Sequence, residues 1–498
     1  MKKLISTILV VAFVIIISAC GNESGIAAQT GGATSVSPDA PVEETTEAET
    51  LPPIPQGDFS GSGFNILAAC EQWQDFYVCD QTGEVVNDAV YNRNRIIEEN
   101  YNIKLNYRVF NGYMAGMDSV HTALSGSVMG GSGDYDLLIG SVMYVTPYVP
   151  EGLYSDLNQN SAVQLDKSWW YQFVNGQIEI DGKLCLGAGG SGINTVAWST
   201  ATFFNKKLVE NYSIENPYEI VNSGKWTTDK MKELGSVVLS DLDGNGKYDS
   251  SDRVGILSTN DYFVGDAGFY VGEVIAMGYE ATEKTSDGGV IIKDINDKMI
   301  SISEKLTDIV NSNVYLEGNN DKGLKNGVTQ SHELYANMQK FFAGDGSLFM
   351  LHRLDFATWD TMREMENFGI LPLAKYDENQ SGYYTPTVAD VAGIPAYVKD
   401  SEMSGVILEA MQYYSAESVK PAYFEMAIKR KSTRDEESVE MLEIIGNTLK
   451  CDFTYLYNRI LNNTLPNITD KNFASKWAKN YDKAQKKIDN LVESVKGL

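Results

Sequence analysis

Two short, largely apolar runs constrain the fold most: FNILAAC, from Phe64, and YDLLIGS, from Tyr135, each with one polar residue near its start. Such a run has no solvent-facing alternation, so it reads as a strand covered on both faces, the habit of a parallel sheet. Between them, Val86, Ala89, Val90, Arg93 and Ile97 follow helical spacing, with Ile96 flanking the stripe. KLNYRVF alternates Leu105, Tyr107 and Val109, which predicts a second strand, and Ser119 to Val128 predicts a short helix. Strand, helix, strand, helix, strand implies βαβ units. The pattern recurs downstream. KLCLGA, RVGILS and SLFML read as strands, the stretches 227–240, 301–311, 331–343 and 402–415 as helices, and the chain beyond 417 as mostly helical.

The start of the chain follows another logic. Lys2 and Lys3 precede an apolar stretch, Leu4 to Ala19, interrupted only by Ser6, Thr7 and Ser18. Positive start, apolar middle and small residues at the end predict a secretory signal peptide over 1–19. The stretch is short of the about 20 apolar residues that span a bilayer. Ile17-Ser18-Ala19-Cys20 resembles the lipobox of bacterial lipoproteins. That resemblance implies cleavage before Cys20 and acyl chains on the new terminus, more than one being needed for firm anchoring. Residues 20–60 are rich in Gly, Ser, Thr, Pro and Glu, which predicts a flexible linker reaching roughly 35 Å. No later apolar run approaches membrane length, so the lipid is the expected membrane contact, on the extracytoplasmic face.

Of the 498 residues, 43% are hydrophobic and 21% charged, a globular composition. The formal net charge of −27 argues against nucleic acid or anionic headgroups as partners, since both require a basic surface. Besides Cys20 the cysteines are Cys70, Cys79, Cys185 and Cys451. The Cys70/Cys79 spacing is open to a small disulfide loop or to two buried thiols. The three histidines, His121, His332 and His352, form no zinc pattern with them.

Residues 241–252, DLDGNGKYDSSD, carry the most specific chemistry. Read as a calcium loop, oxygen ligands fall at Asp241, Asp243, Asn245, Asp249 and Asp252, Lys247 contributes its backbone carbonyl, and Gly246 takes the sharp turn. Closely spaced carboxylates repel one another unless a cation lies between them. The last position is Asp where the EF-hand pattern has Glu, which leaves affinity and calcium/magnesium preference open. A single loop between a helix and a strand is expected to hold calcium structurally, as in the loops of dockerins, which it resembles.

Several weak motifs in order give the larger resemblance. They are GDYDLLIGSVMYVTPYVPEGLYSDLNQ, IDGKLCLGAGGSGINTVAWSTATFFNKKLVENY, NPYEIVNSGKWTTDKMKEL, MQKFFAGDGSLFMLHRLD and FGILPLAKYDENQSG, followed by VAGIPAYVKDSEMSGVILEAM. Together they resemble the extracellular solute-binding lipoproteins of ABC importers, sugar-binding members especially, from about residue 62 onward. Phe204 stands where that family often has Tyr, and the crossover reads GAGG instead of Gly-x-Pro. AVYNRNRIIEENYNI and YFEMAIKRKSTRDEESVEML resemble a divergent clostridial-type branch.

The resemblance implies an α/β, two-lobed fold of the type II periplasmic-binding-protein class. Each lobe is a mostly parallel sheet flanked by helices, and crossing strands form the hinge. Lobe 1 is expected over 61–187 plus 385–425, lobe 2 over 188–384 plus 426–498. It also implies a monomer that captures a small solute, an oligosaccharide in the sugar-binding members, and delivers it to ABC permease subunits. A peptide ligand fits the same cleft. Ligands of open α/β folds bind outside the carboxyl ends of parallel strands. That rule selects Glu71, Gln72 and Trp73 after the first strand, Tyr144 after YDLLIGS, and Trp198 near the crossover. It adds Arg353, Asp355 and Trp359 after SLFML, and Tyr383 and Tyr384 before the return strand. Trp226 and Trp477 read as packing. The rival class, a secreted calcium-containing glycoside hydrolase, requires two placed carboxylates. No nucleophile elbow, zinc helix motif or phosphate loop is present in the sequence. The alternating βα pattern speaks against a repeat-built adhesin.

Overall fold

The computed structural model describes residues 53–69, 78, 80–110, 117–259, 271–365, 367–428, 436–457 and 465–498. The signal peptide, Cys20, most of the linker, Cys70, Glu71, Gln72, Trp73 and Cys79 lie outside them. The ordered body begins earlier than residue 61. Ile54 is buried in the core, the Tyr101 hydroxyl donates to Pro55 O at 2.8 Å, and Phe59 N donates to Tyr101 O at 3.0 Å.

The strands in chain order are β1 Ser62–Ala69, β2 Ile103–Val109, β3 Leu137–Ser141, β4 Gly187–Ala188, β5 Thr200–Asn205, β6 Val254–Ser258 and β7 Thr282–Lys284. There follow β8 Val290–Ile292, β9 Tyr315–Glu317, β10 Ser347–Arg353, β11 Phe368–Leu371, β12 Thr385–Pro386, β13 Asp390–Gly393 and β14 Leu449–Lys450. One five-stranded sheet has the order β2-β1-β3-β13-β4 and the other β11-β5-β10-β6-β9. In the first, β1 runs parallel to both β2 and β3, and β13 runs against β3 and β4. In the second, β10, β6 and β9 are parallel, and β5 runs against β10 and β11. Each sheet thus has one reversed strand, and both reversed strands adjoin a passage between lobes.

The apolar runs form strands because they are covered on both faces. Every residue of β3 and β6 is buried. The expected helices form at Thr228–Val237, Asp297–Val310, Ser331–Ala343 and Ser401–Tyr414. Thr227, Asn296 and Asp400 cap three of them by accepting from Lys230 N, Met299 N and Met403 N. KLCLGA forms a strand only at its end: the chain bends at Cys185 and Leu186, and Gly187 and Ala188 alone join the ladder of β13.

The passages between the sheets are short. From β4 the chain runs through Gly189-Gly190 and the helix Ile193–Ala197 into β5. A Cβ at Gly190 would lie 2.5 Å from Gln412 O, so the GAGG departure lets helix Ser401–Tyr414 press against the crossover. The second passage is β12, paired in parallel with β14 through Thr385↔Leu449 and Pro386↔Lys450. A π-turn, Ser415–Val419, continues helix Ser401–Tyr414, and Ser415 Oγ accepts from the buried Arg93 at 2.9 Å. The last helix, Phe473–Lys496, packs on β8 and on residues Thr146–Glu151. No helix among the described residues is long and apolar enough to cross a membrane.

Helix Ser401–Tyr414 is also pinned by a buried carboxylate. Glu409 accepts from Trp169 Nε1 at 2.6 Å, Trp170 Nε1 at 3.0 Å and Gln164 N at 3.1 Å. Burial pushes its carboxyl above the usual range, against these hydrogen bonds. Glu409→Ala leaves buried donors unpaired and is expected to lower unfolding stability by roughly 3 kcal/mol in urea denaturation.

Candidate functional site

The sequence rule brings four of its residues together at the carboxyl end of β10. The strand ends at Arg353, and a 3-10 turn, Leu354–Thr358, follows, closed by Thr358 Oγ1 donating to Asp355 O at 2.7 Å. This turn folds the buried Asp355 back onto Arg353, through Nε at 3.1 Å and a second guanidinium nitrogen at 2.8 Å. The Arg353 guanidinium lies 5.3 Å from the Trp198 ring centroid, a cation–π distance. The Trp359 side chain and Phe356 N donate to Asp355 as well. Burial raises the Asp355 carboxyl above its ordinary value, and Arg353 opposes this. Trp198, Arg353, Asp355 and Trp359 therefore form one linked cluster of two indoles, a cation and a carboxyl. Trp198 and Asp355 are buried, and Arg353 and Trp359 are half-buried.

The other expected cleft residues divide. Tyr144 is buried in the one-turn helix Val142–Val145 directly after β3. Tyr384 lies at the hinge, with Lys450 Nζ 4.3 Å above its ring. Lys450 also pairs with Glu280 at 2.6 Å. Tyr383 turns instead to the second lobe's core, where its hydroxyl donates to Val221 O at 2.9 Å. Its hydroxyl is thereby engaged in packing. Trp226 and Trp477 are buried, as read from sequence. Cys185 and Cys451 are buried free thiols, and burial pushes Cys185 up to about 11.

Three buried polar residues escaped the sequence reading: Ser141, Asn194 and Asp390. Ser141 closes β3 and Asp390 opens β13, and the two are register partners. The Asn194 side chain hydrogen-bonds the Asp390 carboxyl, and Asp390 N donates to Thr195 Oγ1 at 3.0 Å. Burial pushes the Asp390 carboxyl up to about 7, with the Asn194 bond opposing. The sequence signal was an acidic residue inside an otherwise apolar run, TVADVAGIPA.

The acidic loop is separate from this region. Oxygens of Asp241, Asp243 and Asp252 converge to within 4.8 Å of one another, so these three could hold a metal ion. Backbone N–H groups shape the loop around them. Asp241 accepts from Gly244 N at 2.7 Å and Gly246 N at 2.9 Å, and Asp252 accepts from Leu242 N at 2.8 Å. Gly244 and Gly246 have φ of +73° and +75°, which suits glycine. Asn245 Oδ1 accepts from Lys247 N, and its amide donates to Asp243, both at 2.7 Å. Asp249 does not join the converging trio. It accepts from Ser251 N at 2.8 Å within its own turn. Ser250 N donates to Asp321 at 3.1 Å, tying the loop to the segment after β9.

No protein-family model matches the chain, and no curated protein does. Solved structures do. UspC of M. tuberculosis aligns with TM-score 0.53 and 13% identity, over 85% of this chain and 100% of that one. The cyclic α-maltosyl-1,6-maltose binding protein of Arthrobacter globiformis aligns at 0.52 and 14%, over 88% and 98%. The galacto-N-biose/lacto-N-biose I-binding protein of an ABC transporter from Bifidobacterium longum, in complex with lacto-N-biose, aligns at 0.52 and 13%, over 88% and 98%. The likeness establishes the fold: two α/β lobes of the type II periplasmic-binding-protein class, with mixed sheets flanked by helices.

Proposed function

We propose that this chain is the extracytoplasmic substrate-binding component of an ABC importer, which captures an oligosaccharide between its lobes and delivers it to permease subunits. One observation carries the reading. The crossover from β4 to β5 holds Asn194 toward β13 of the first sheet and Trp198 toward Arg353 of the second. Polar and aromatic groups from both lobes thus meet at one passage. Flat indole faces suit pyranose rings, and the charged pair suits hydroxyls. The role is binding rather than catalysis.

Around this core the remaining parts have assigned places. Cys20 carries the lipid, and the linker lets a monomeric body turn while it stays near the permease. The first lobe, expected over 61–187 with 385–425, starts by residue 54, and the second is 188–384 with 426–448. The segment from 453 to 457 and the last helix lie against the first lobe, where Tyr457 Oη donates to Ile178 O at 2.9 Å and Lys183 Nζ to Val495 O at 3.0 Å. Tyr144 and Tyr384 are the further candidates for ligand contact, with Glu71, Gln72 and Trp73, which lie outside the described residues, expected from the sequence to join them. Calcium in the Asp241–Asp252 loop is structural. It would clamp the connection between helix Thr228–Val237 and β6, with oxygens supplied by Asp241, Asp243, Asp252, Asn245 and the Lys247 carbonyl.

Calorimetry against maltotriose, lacto-N-biose and a peptide library tests the reading. Stoichiometric binding of an oligosaccharide is expected, and Trp198→Ala should weaken it at least about tenfold, the loss of roughly 1.4 kcal/mol. Peptide binding alone would replace the sugar with a peptide as the cargo. Turnover of the sugar would overturn the importer reading.

A further inference from the structure

We infer that Ser141, Asn194 and Asp390 form a polar subsite on the first-lobe side of the cleft, which takes hydrogen-bond donors of the bound saccharide, as hydroxyl or amino groups. The inference rests on the reading above and deepens it.

The geometry starts from the ladder between β3 and β13. Val142 N donates to Ala389 O at 2.9 Å, so Val142 and Ala389 are a hydrogen-bonded position. Ser141 and Asp390, the adjacent register pair, are then a non-hydrogen-bonded pair. In such pairs the Cα atoms lie about 4.5 Å apart and the side chains stand close on one face. Asn194 reaches the same carboxyl from the crossover helix. That helix also fixes the relation to the second lobe. Trp198 N donates to Asn194 O at 2.8 Å, so the two residues stand one turn apart on one helix face. Asn194 touches Asp390, and Trp198 faces Arg353.

These groups are buried and incompletely satisfied. Ser141 is 3%, Asn194 2% and Asp390 2% exposed. Among the described residues, Ser141 Oγ, Asn194 Oδ1 and Asp390 Oδ2 have no hydrogen-bond partner. Ser141 stands at the N-cap of helix Val142–Val145 and yet makes no cap bond with its side chain. A buried polar atom left without a partner costs about 1–3 kcal/mol. The three stand around the carboxyl end of β3, and the Asn194 oxygen, with the Asp390 oxygen once its carboxyl is ionised, can only accept, which defines what would complete them. The missing partner is a donor. A saccharide brings such donors on adjacent carbons, as paired hydroxyls or as a hydroxyl beside an amino group. With no fixed cation among the groups that shift it, Asp390 also suits an ammonium.

The test uses the full-length mature chain and four probes: maltotriose, lacto-N-biose, glucosamine and a chitosan disaccharide. Asp390→Asn and Ser141→Ala are compared with the unaltered protein by calorimetry at pH 8, after melting curves establish that each is folded. The subsite predicts at least about tenfold weaker binding in Asp390→Asn and a several-fold loss in Ser141→Ala, with the enthalpy reduced in both. A saccharide that binds the unaltered protein and both variants equally would overturn the subsite and leave the importer reading standing. Failure of the unaltered protein to bind any of the four would overturn both for these sugars. Selective binding of the two amino sugars, lost with Asp390→Asn, identifies the donor as an ammonium. Equal dependence for the neutral sugars identifies hydroxyls.

Discussion

Asp390→Asn is expected to make the ligand-free protein more stable at pH 8 and to leave its stability near pH 4 almost unchanged. The Asp390 carboxyl is pushed from an ordinary 3.8 up to about 7 by burial, opposed only by the Asn194 hydrogen bond. In the unfolded chain the group ionises at its ordinary value. Between about pH 4 and 7 the folded state therefore holds a proton that the unfolded state has released. Stability falls across that window and levels off above it. The full penalty is on the order of 4 kcal/mol, an upper bound that local rearrangement and entering water reduce. Asparagine keeps the shape without the charge and removes the penalty. Urea denaturation at pH 4, 6 and 8 checks this, with a flatter pH profile expected for the variant. Identical profiles would mean that Asp390 is ionised against a compensating donor even without ligand. The stabilised variant should also be the weaker binder, a trade common where a site holds unsatisfied groups for its ligand.

Calcium is expected to have the other large effect. At a hundredfold excess over its dissociation constant, a ligand that binds only the folded state adds about 2.7 kcal/mol. Chelator should therefore lower the melting temperature, and calcium should restore it. Asp243→Asn should abolish most of that response, since Asp243 contributes an oxygen to the trio and asparagine keeps an oxygen to accept from Asn245 N. Asp241→Ala should remove the response and loosen the loop even without metal. A melt unaffected by chelator would count against the site. Magnesium should substitute poorly, because it demands a near-ideal octahedron.

Much of the framework is legible in the sequence for a plain reason. A strand buried on both faces must be apolar throughout, so FNILAAC, YDLLIGS, RVGILS and SLFML announce themselves. The carboxyl-end rule selects Trp198, Arg353, Asp355 and Trp359, and the structure gathers these four at the end of β10 because Trp198 lies two residues before β5 and the turn after Arg353 folds back on the strand end. For Tyr383 it competes with packing, since a loop aromatic has an equal claim on the nearby core. Ile54 was hidden by its polar, proline-rich surroundings, though with Phe59 and the hydrogen bonds to Tyr101 it seats residues 53–60 on the body. Asp390 and Ser141 were hidden differently. Their partnership exists only in the pairing of β13 with β3, and a β-ladder between distant segments leaves no local trace.

The central claim is that a sugar is held between the lobes and not altered. Native mass spectrometry of the mature chain with an oligosaccharide mixture tests it most directly. One intact oligosaccharide per chain is expected, unchanged on prolonged incubation and lost in Trp198→Ala. Shortened products accumulating in the mixture, or no retained sugar, would contradict the account.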